Sequence, residues 1–226
     1  MLDGVVAAEA KLRDVERQRM SSIRVQSAEG LRKLRELGEA VFDLNSRLPS
    51  VVSSLASADA PFFDGDIVLG GSGWELASSL ALAHGDPTVN VLMLDPDPAE
   101  FFSSTGEYGC FSCASDAARD SYVAGLFGDP REVADQIGYV AETVAVFGAS
   151  GRWGIWAERN IAGLVVSAEP SALGAWELDN GPFLTVDEAL DEFLGLNLGV
   201  GAAGLDFAIW LRRNYGALPD PREEPV

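Results

Sequence analysis

Apolar residues recur through positions 1–50 at helical rather than strand spacing. Leu2, Val5, Leu12 and Val15 share one face, and Leu31, Leu34, Val41, Leu44 and Leu48 continue a similar stripe. Charges of both signs fill the positions between, as on a solvated helix face. The stripe slips near Arg19–Ser22, and Gly30 and Gly38 each weaken a helix by about 1 kcal/mol relative to Ala. The spacing predicts helix over 2–47, as one kinked helix or two in succession. Pro49 is expected to open a further short helix over 50–57. Such a segment packs on its own domain or pairs two copies of the chain as a coiled-coil arm. The a/d heptads are not clean enough to choose.

The pattern changes after the loop Ala58–Gly65, which carries Pro61 and the pair Phe62-Phe63. DIVLG (66–70), GSG (71–73), WELASSLALAH (74–84) and VNVLMLD (89–95) read as strand, glycine turn, helix, strand. Asp-Pro pairs beginning at Asp86, Asp95, Asp97, Asp129 and Asp220 mark turns or helix starts. Ser115–Phe127 is helical in pattern, and Pro130 starts a second helix running to Val146. RWGIWAER (152–159) and NIAGLVVSA (160–168) form a hairpin turning at Arg159-Asn160. Gly174–Leu178 reads as a short strand with a turn at Asp179–Gly181. Thr185 suits the N-cap of the helix VDEALDEFL, with Asp187 and Glu188 in its first turn. A last helix spans Leu205–Tyr215 and stops at Gly216. The expected class is α+β: a helical segment over 1–57, a mixed α/β body over 58–218 with an antiparallel hairpin and C-terminal helices, and a polar tail over 219–226.

Charge changes this picture. The chain of 226 residues carries a net charge of −19, but unevenly. Residues 1–50 hold eight acids and nine bases, the rest 27 acids and seven bases, and Arg47 and Arg119 bound a stretch with no Lys or Arg. Such a body repels nucleic acid and anionic membranes, whose phosphates require cations. A basic protein partner fits it better. The N-terminus lacks the basic and apolar regions of a signal peptide. The longest apolar candidate for a membrane span, Leu196–Trp210, is interrupted by glycines and Asp206. Two cysteines imply no disulfide framework, so a reducing, cytoplasmic setting is expected. Fourteen Arg against two Lys, with abundant Ala and Gly, is a composition like that of GC-rich bacteria.

Catalytic chemistry finds little support. Gly71 and Gly73 between an expected strand and helix, with Asp95 ending the next strand, resemble a dinucleotide fingerprint whose glycines admit a pyrophosphate. Against it, Leu76 stands where the third glycine belongs, and Glu75 in the first turn would repel phosphate. The competing reading is a plain glycine turn. Cys110 and Cys113 have redox spacing before an expected helix, but no clear strand precedes them and Glu107 would raise a thiol pKa, so two partly buried thiols are the plainer reading. With His84 they give three ligands for zinc, one short of a structural site. His84 itself sits where a helix C-terminus favours a cation. Asp95, Asp97 and Glu100 cluster beside prolines and read as a turn rather than a metal site. No catalytic residue, metal or cofactor is therefore assigned, and a nucleotide-binding enzyme using Gly71, Gly73 and Asp95 is retained as the alternative.

FGASGRWGIWAERNIAGLVVSA and FLTVDEALDEFL, within residues 147–194, form an aromatic hairpin and an acidic helix. In that respect the C-terminal third resembles bacterial toxin-immunity proteins of the SMI1/KNR4-like group. The resemblance implies an α+β binder that covers a basic partner, such as a toxin, with an acidic surface. The expected function is thus a non-catalytic acidic interaction module. Its contact residues are expected at Glu142, Glu158, Asp187, Glu188, Asp191 and Glu192. Trp156 would be the anchor if it lies on the outer face, since Trp is enriched at binding hot spots. A third expectation is an assembly subunit forming a homodimer through the N-terminal helix.

Overall fold

The structure, a computed structural model, describes residues 23–56, 60–128, 136–167, 183–194 and 201–216. The expected coiled-coil arm before residue 23, the helix start at Pro130, the strand Gly174–Leu178 with its turn, and the tail lie outside them. Within them the chain is α+β. In order, it forms α1 (Ala28–Glu39), β1 (Phe62–Phe63), α2 (Asp66–Leu69), α3 (Gly73–His84), β2 (Thr88–Asp95), α4 (Pro98–Thr105) and β3 (Cys110–Ala114). There follow α5 (Arg119–Phe127), α6 (Ile137–Val140), β4 (Thr143–Gly148), β5 (Trp153–Glu158) and β6 (Ala162–Ser167). The last elements are α7 (Val186–Ala189), continued by a π-turn over Leu190–Leu194, and α8 (Ala202–Tyr215).

The six strands form one antiparallel sheet in the order β1-β6-β5-β4-β2-β3. Side chains alternate between its faces along each strand. Val89, Val91, Met93, Phe111, Val144, Val146, Trp153 and Ile155 point to one face, covered by α2, α3, α5 and α6. Leu92, Leu94, Cys110, Ala145, Phe147, Trp156, Leu164 and Val166 point to the other. There they meet α1, the chain 41–56, α7 and α8. The result is three layers with two cores. Burying about 25 cal/mol per Å2 of apolar surface on both sides makes the central strands the stable heart of the fold.

Double burial explains the chief departure from the expected elements. Thr143–Gly148 is strand, not the end of a helix from Pro130, and all six of its residues are buried. A strand covered on both faces loses its polar alternation, and a short apolar run then reads equally as helix. Asp66–Leu69 errs in the opposite sense: it is a helical turn, not a strand. The Asp64 carboxylate accepts the Asp66 N–H at 3.0 Å and starts that turn. Helix α1 ends at Glu39, and Val41, Leu44 and Leu48 continue the apolar stripe from a turn-rich chain instead. No helix forms over the described part of 50–57. Gly38 lets α1 approach the sheet closely: a Cβ there would lie 3.1 Å from the Phe147 ring, a tight contact. Since α1 and 41–56 share their core with the sheet, a boundary at 57 does not separate two cores.

The hairpin forms as expected. Asn160 takes the left-handed conformation, φ 58°, which short polar side chains tolerate, and Ile161 N–H bonds to Glu158 O at 3.1 Å. Both sheet edges are covered. Val25 N–H bonds to Cys110 O, and Tyr108 N–H to Val25 O, on the β3 side. Phe62 and Leu184 exchange both backbone bonds on the β1 side. Such cover blocks pairing with a foreign strand.

Candidate functional site

Thr185 and Glu188 set the start of the acidic face. Thr185 Oγ1 accepts the Glu188 N–H at 3.3 Å, while Glu188 Oε2 accepts the Thr185 N–H at 2.8 Å. This capping box satisfies two helix-end donors. The bonds from Thr185 hold the Glu188 carboxyl below its ordinary range. Val186, Ala189 and Leu190 turn inward, leaving Asp187, Glu188, Asp191 and Glu192 exposed on the opposite side.

Helix α8 lies beside α7. It buries Gly204, Leu211 and Tyr215, and Tyr215 fastens it to the chain beneath: its hydroxyl donates to Ser50 O at 2.8 Å and accepts from Val52 N–H at 2.9 Å. Burial pushes the Tyr215 hydroxyl up to about 12. Asn214 adds a bond to Pro49 O at 2.7 Å. The outward side of α8 is unusual. Leu205, Ile209 and Trp210 are 63%, 60% and 49% exposed, three of the six large apolar side chains exposed among the described residues. Leu205, Ile209 and Arg212 follow at i, i+4 and i+7 and so form one line. Arg212 Nε at its end donates to Asp187 Oδ1 at 2.6 Å. The apolar line thus runs directly into the acidic helix. Arg213 lies over the Trp210 ring, 4.9 Å from its centroid.

No family model, curated protein or solved structure matches this chain.

The expected contact residues divide. Glu142, Asp187, Glu188, Asp191 and Glu192 are exposed. Trp156 and Glu158 are not: they are 0% and 5% exposed, with the Trp156 ring centroid 5.3 Å from that of Phe42 and 5.8 Å from the Arg47 guanidinium. Trp156 cannot be an outer-face anchor, because β5 is covered on both sides. Glu158 Oε1 accepts the Leu48 N–H and the Trp156 Nε1–H, each at 2.8 Å. Burial pushes the Glu158 carboxyl above its ordinary range, and Asp95 adds to that, while the two donors and Arg47 oppose it. The large apolar side chains exposed beside the acids are instead Leu205, Ile209 and Trp210. A signal for them exists in the sequence: α8 has more apolar residues than one buried helix face holds.

The glycine turn joins two helices, so the strand that a dinucleotide fingerprint requires before it is missing. Gly71 has φ 85°, which a turn here demands, and a Cβ on Gly73 would lie 2.9 Å from Val68 Cα. Both glycines therefore serve close helix packing. Asp95 ends β2, exposed, with its carbonyl accepting the Glu142 N–H at 2.8 Å. Cys110 and Cys113 lie within β3, away from the N-terminus of the helix that follows, and three positions apart they point into opposite cores. Burial pushes both thiols up to about 12, far from a reactive thiolate. His84 occupies the last turn of α3 before left-handed Gly85, with Nε2 3.2 Å from Ser167 Oγ. Among the described residues no group of three His, Cys, Asp or Glu is placed to hold a metal, and no helix is long and apolar enough to cross a membrane.

Asp86, expected only to mark a turn, is buried. This buried carboxylate accepts Ser150 N–H and Oγ–H at 2.7 Å each and Trp153 Nε1–H at 2.8 Å. It ties the α3–β2 turn to the β4–β5 turn, and all its contacts are structural.

Proposed function

We propose that this chain is a non-catalytic interaction protein that receives a basic protein partner on the face formed by α7 and α8. The observation that carries this reading is the row Asp187, Glu188, Asp191 and Glu192, exposed beside the exposed apolar line of α8. Arg212 neutralises only one of these carboxylates. An immunity-type role, in which the partner is a toxin held inactive, is the form suggested by the aromatic hairpin and acidic helix. Opposite charge would speed encounter and make it salt-sensitive.

The test uses the partner that accompanies the native full-length protein. Its association rate should fall at least about tenfold between about 0.05 M and 0.5 M salt, as the screening length shortens. The neutralised variant D187N/D191N/E192Q should show the same loss at low salt. A complex indifferent to both salt and these substitutions would rule out the acidic face.

A further inference from the structure

We infer that the occupant of this face is an amphipathic helix of the partner, whose apolar side covers Leu205, Ile209 and Trp210 while its basic residues meet Asp187, Asp191, Glu192 and Asp206. The inference rests on the acidic-face reading and goes beyond it by naming the recognised shape and its anchor.

The apolar contribution comes from three neighbouring side chains on one rigid helix, fastened below by Tyr215 and Asn214. Exposed apolar residues scattered singly need no explanation, as with Leu82 and Tyr139 on other elements; a group on one helix does. The electrostatic contribution fixes the kind of partner. Asp206 is exposed on α8, and Asp187, Glu188, Asp191 and Glu192 stand on the neighbouring helix that Arg212 joins to the apolar line. A docked element must therefore be apolar along its middle and cationic along its flank. A helix supplies that pattern in one segment, with apolar positions at i, i+3 and i+4 and bases between. A second copy of this chain fits less well. Its own α8 would offer the same apolar line, but it would set two acidic α7 helices against each other in a molecule of net charge −19.

The probe is a synthetic helical peptide with Leu and Trp on one side and Lys and Arg on the other, compared with a peptide carrying Glu at the basic positions. Binding to the full chain is followed by fluorescence anisotropy of the labelled peptide. The basic peptide should bind and the acidic one should not. The charge-neutral variant I209S/W210S should bind the basic peptide at least about tenfold more weakly, since anchor residues dominate such interfaces. Both positions are exposed, so circular dichroism and the thermal midpoint should match the parent's. Equal binding by parent and I209S/W210S, with weaker binding by D187N/D191N/E192Q, would overturn the apolar anchor and leave the acidic face standing. Equal binding by all three would overturn both. A parent dimer that I209S/W210S converts to monomer would assign the line to a second copy and overturn the inference.

Discussion

Glu158 shows how one residue can change role between sequence and structure. It lies beside Trp156, as expected of an exposed contact pair, yet both are buried. Its carboxylate now satisfies two buried donors, Leu48 N–H and Trp156 Nε1–H. Its folded pKa lies above the ordinary 4.5, chiefly because burial disfavours the charge. The folded state thus binds this proton more tightly than the unfolded chain does. The associated stability is fully present below pH 4.5 and is lost as pH rises through the raised folded value. Glu158→Gln keeps an acceptor and removes the charge, so its stability relative to the parent should improve as pH rises from 4.5 through the raised folded value and level off above it. Urea midpoints across that range test this, and parallel curves would refute it. Glu158→Ala leaves two donors unsatisfied and should cost about 1–3 kcal/mol for each left dry.

Elements were legible where their ends carry chemistry. Thr185 was readable as an N-cap because its side chain acts on its own backbone a few residues away. Thr185→Ala should cost about 1 kcal/mol, a fall of about 2–4 °C in Tm, with the core spectroscopically unchanged. No fall would mean that α7 is held by packing alone. The hairpin at Arg159-Asn160 was readable for a similar reason, since Asn tolerates the turn conformation. Ambiguity remained where an element is defined by what covers it. VAVFG in β4 could be helix or strand until α3 and α1 are placed on its two faces, and IVL in α2 looked like a strand because Asp64, which accepts the first N–H of the turn, lies outside the apolar run. Tyr215 illustrates the long-range limit: it reaches Ser50 and Val52, which sequence spacing cannot pair.

At the scale of the molecule, charge and layers act separately. The two cores hold the sheet, and the acids remain largely at the surface, where they repel one another. Such self-repulsion opposes the compact state. The thermal midpoint should therefore rise by a few degrees between about 10 mM and 0.1 M salt, as the screening length falls from about 30 Å to about 10 Å. A midpoint that stays constant or falls would show that the surface acids are locally compensated.

The sequence by itself determined the α+β class, the acidity of the body, the hairpin, the α7 cap and the C-terminal helix. Each depends on composition or on residues close along the chain. Only the tertiary structure decided that one sheet is buried on both faces, that Trp156 and Glu158 are interior, and that the exposed line of α8 adjoins the acids of α7. Burial depends on which distant elements come together, and an apolar residue carries no mark of whether its cover is its own chain or a partner.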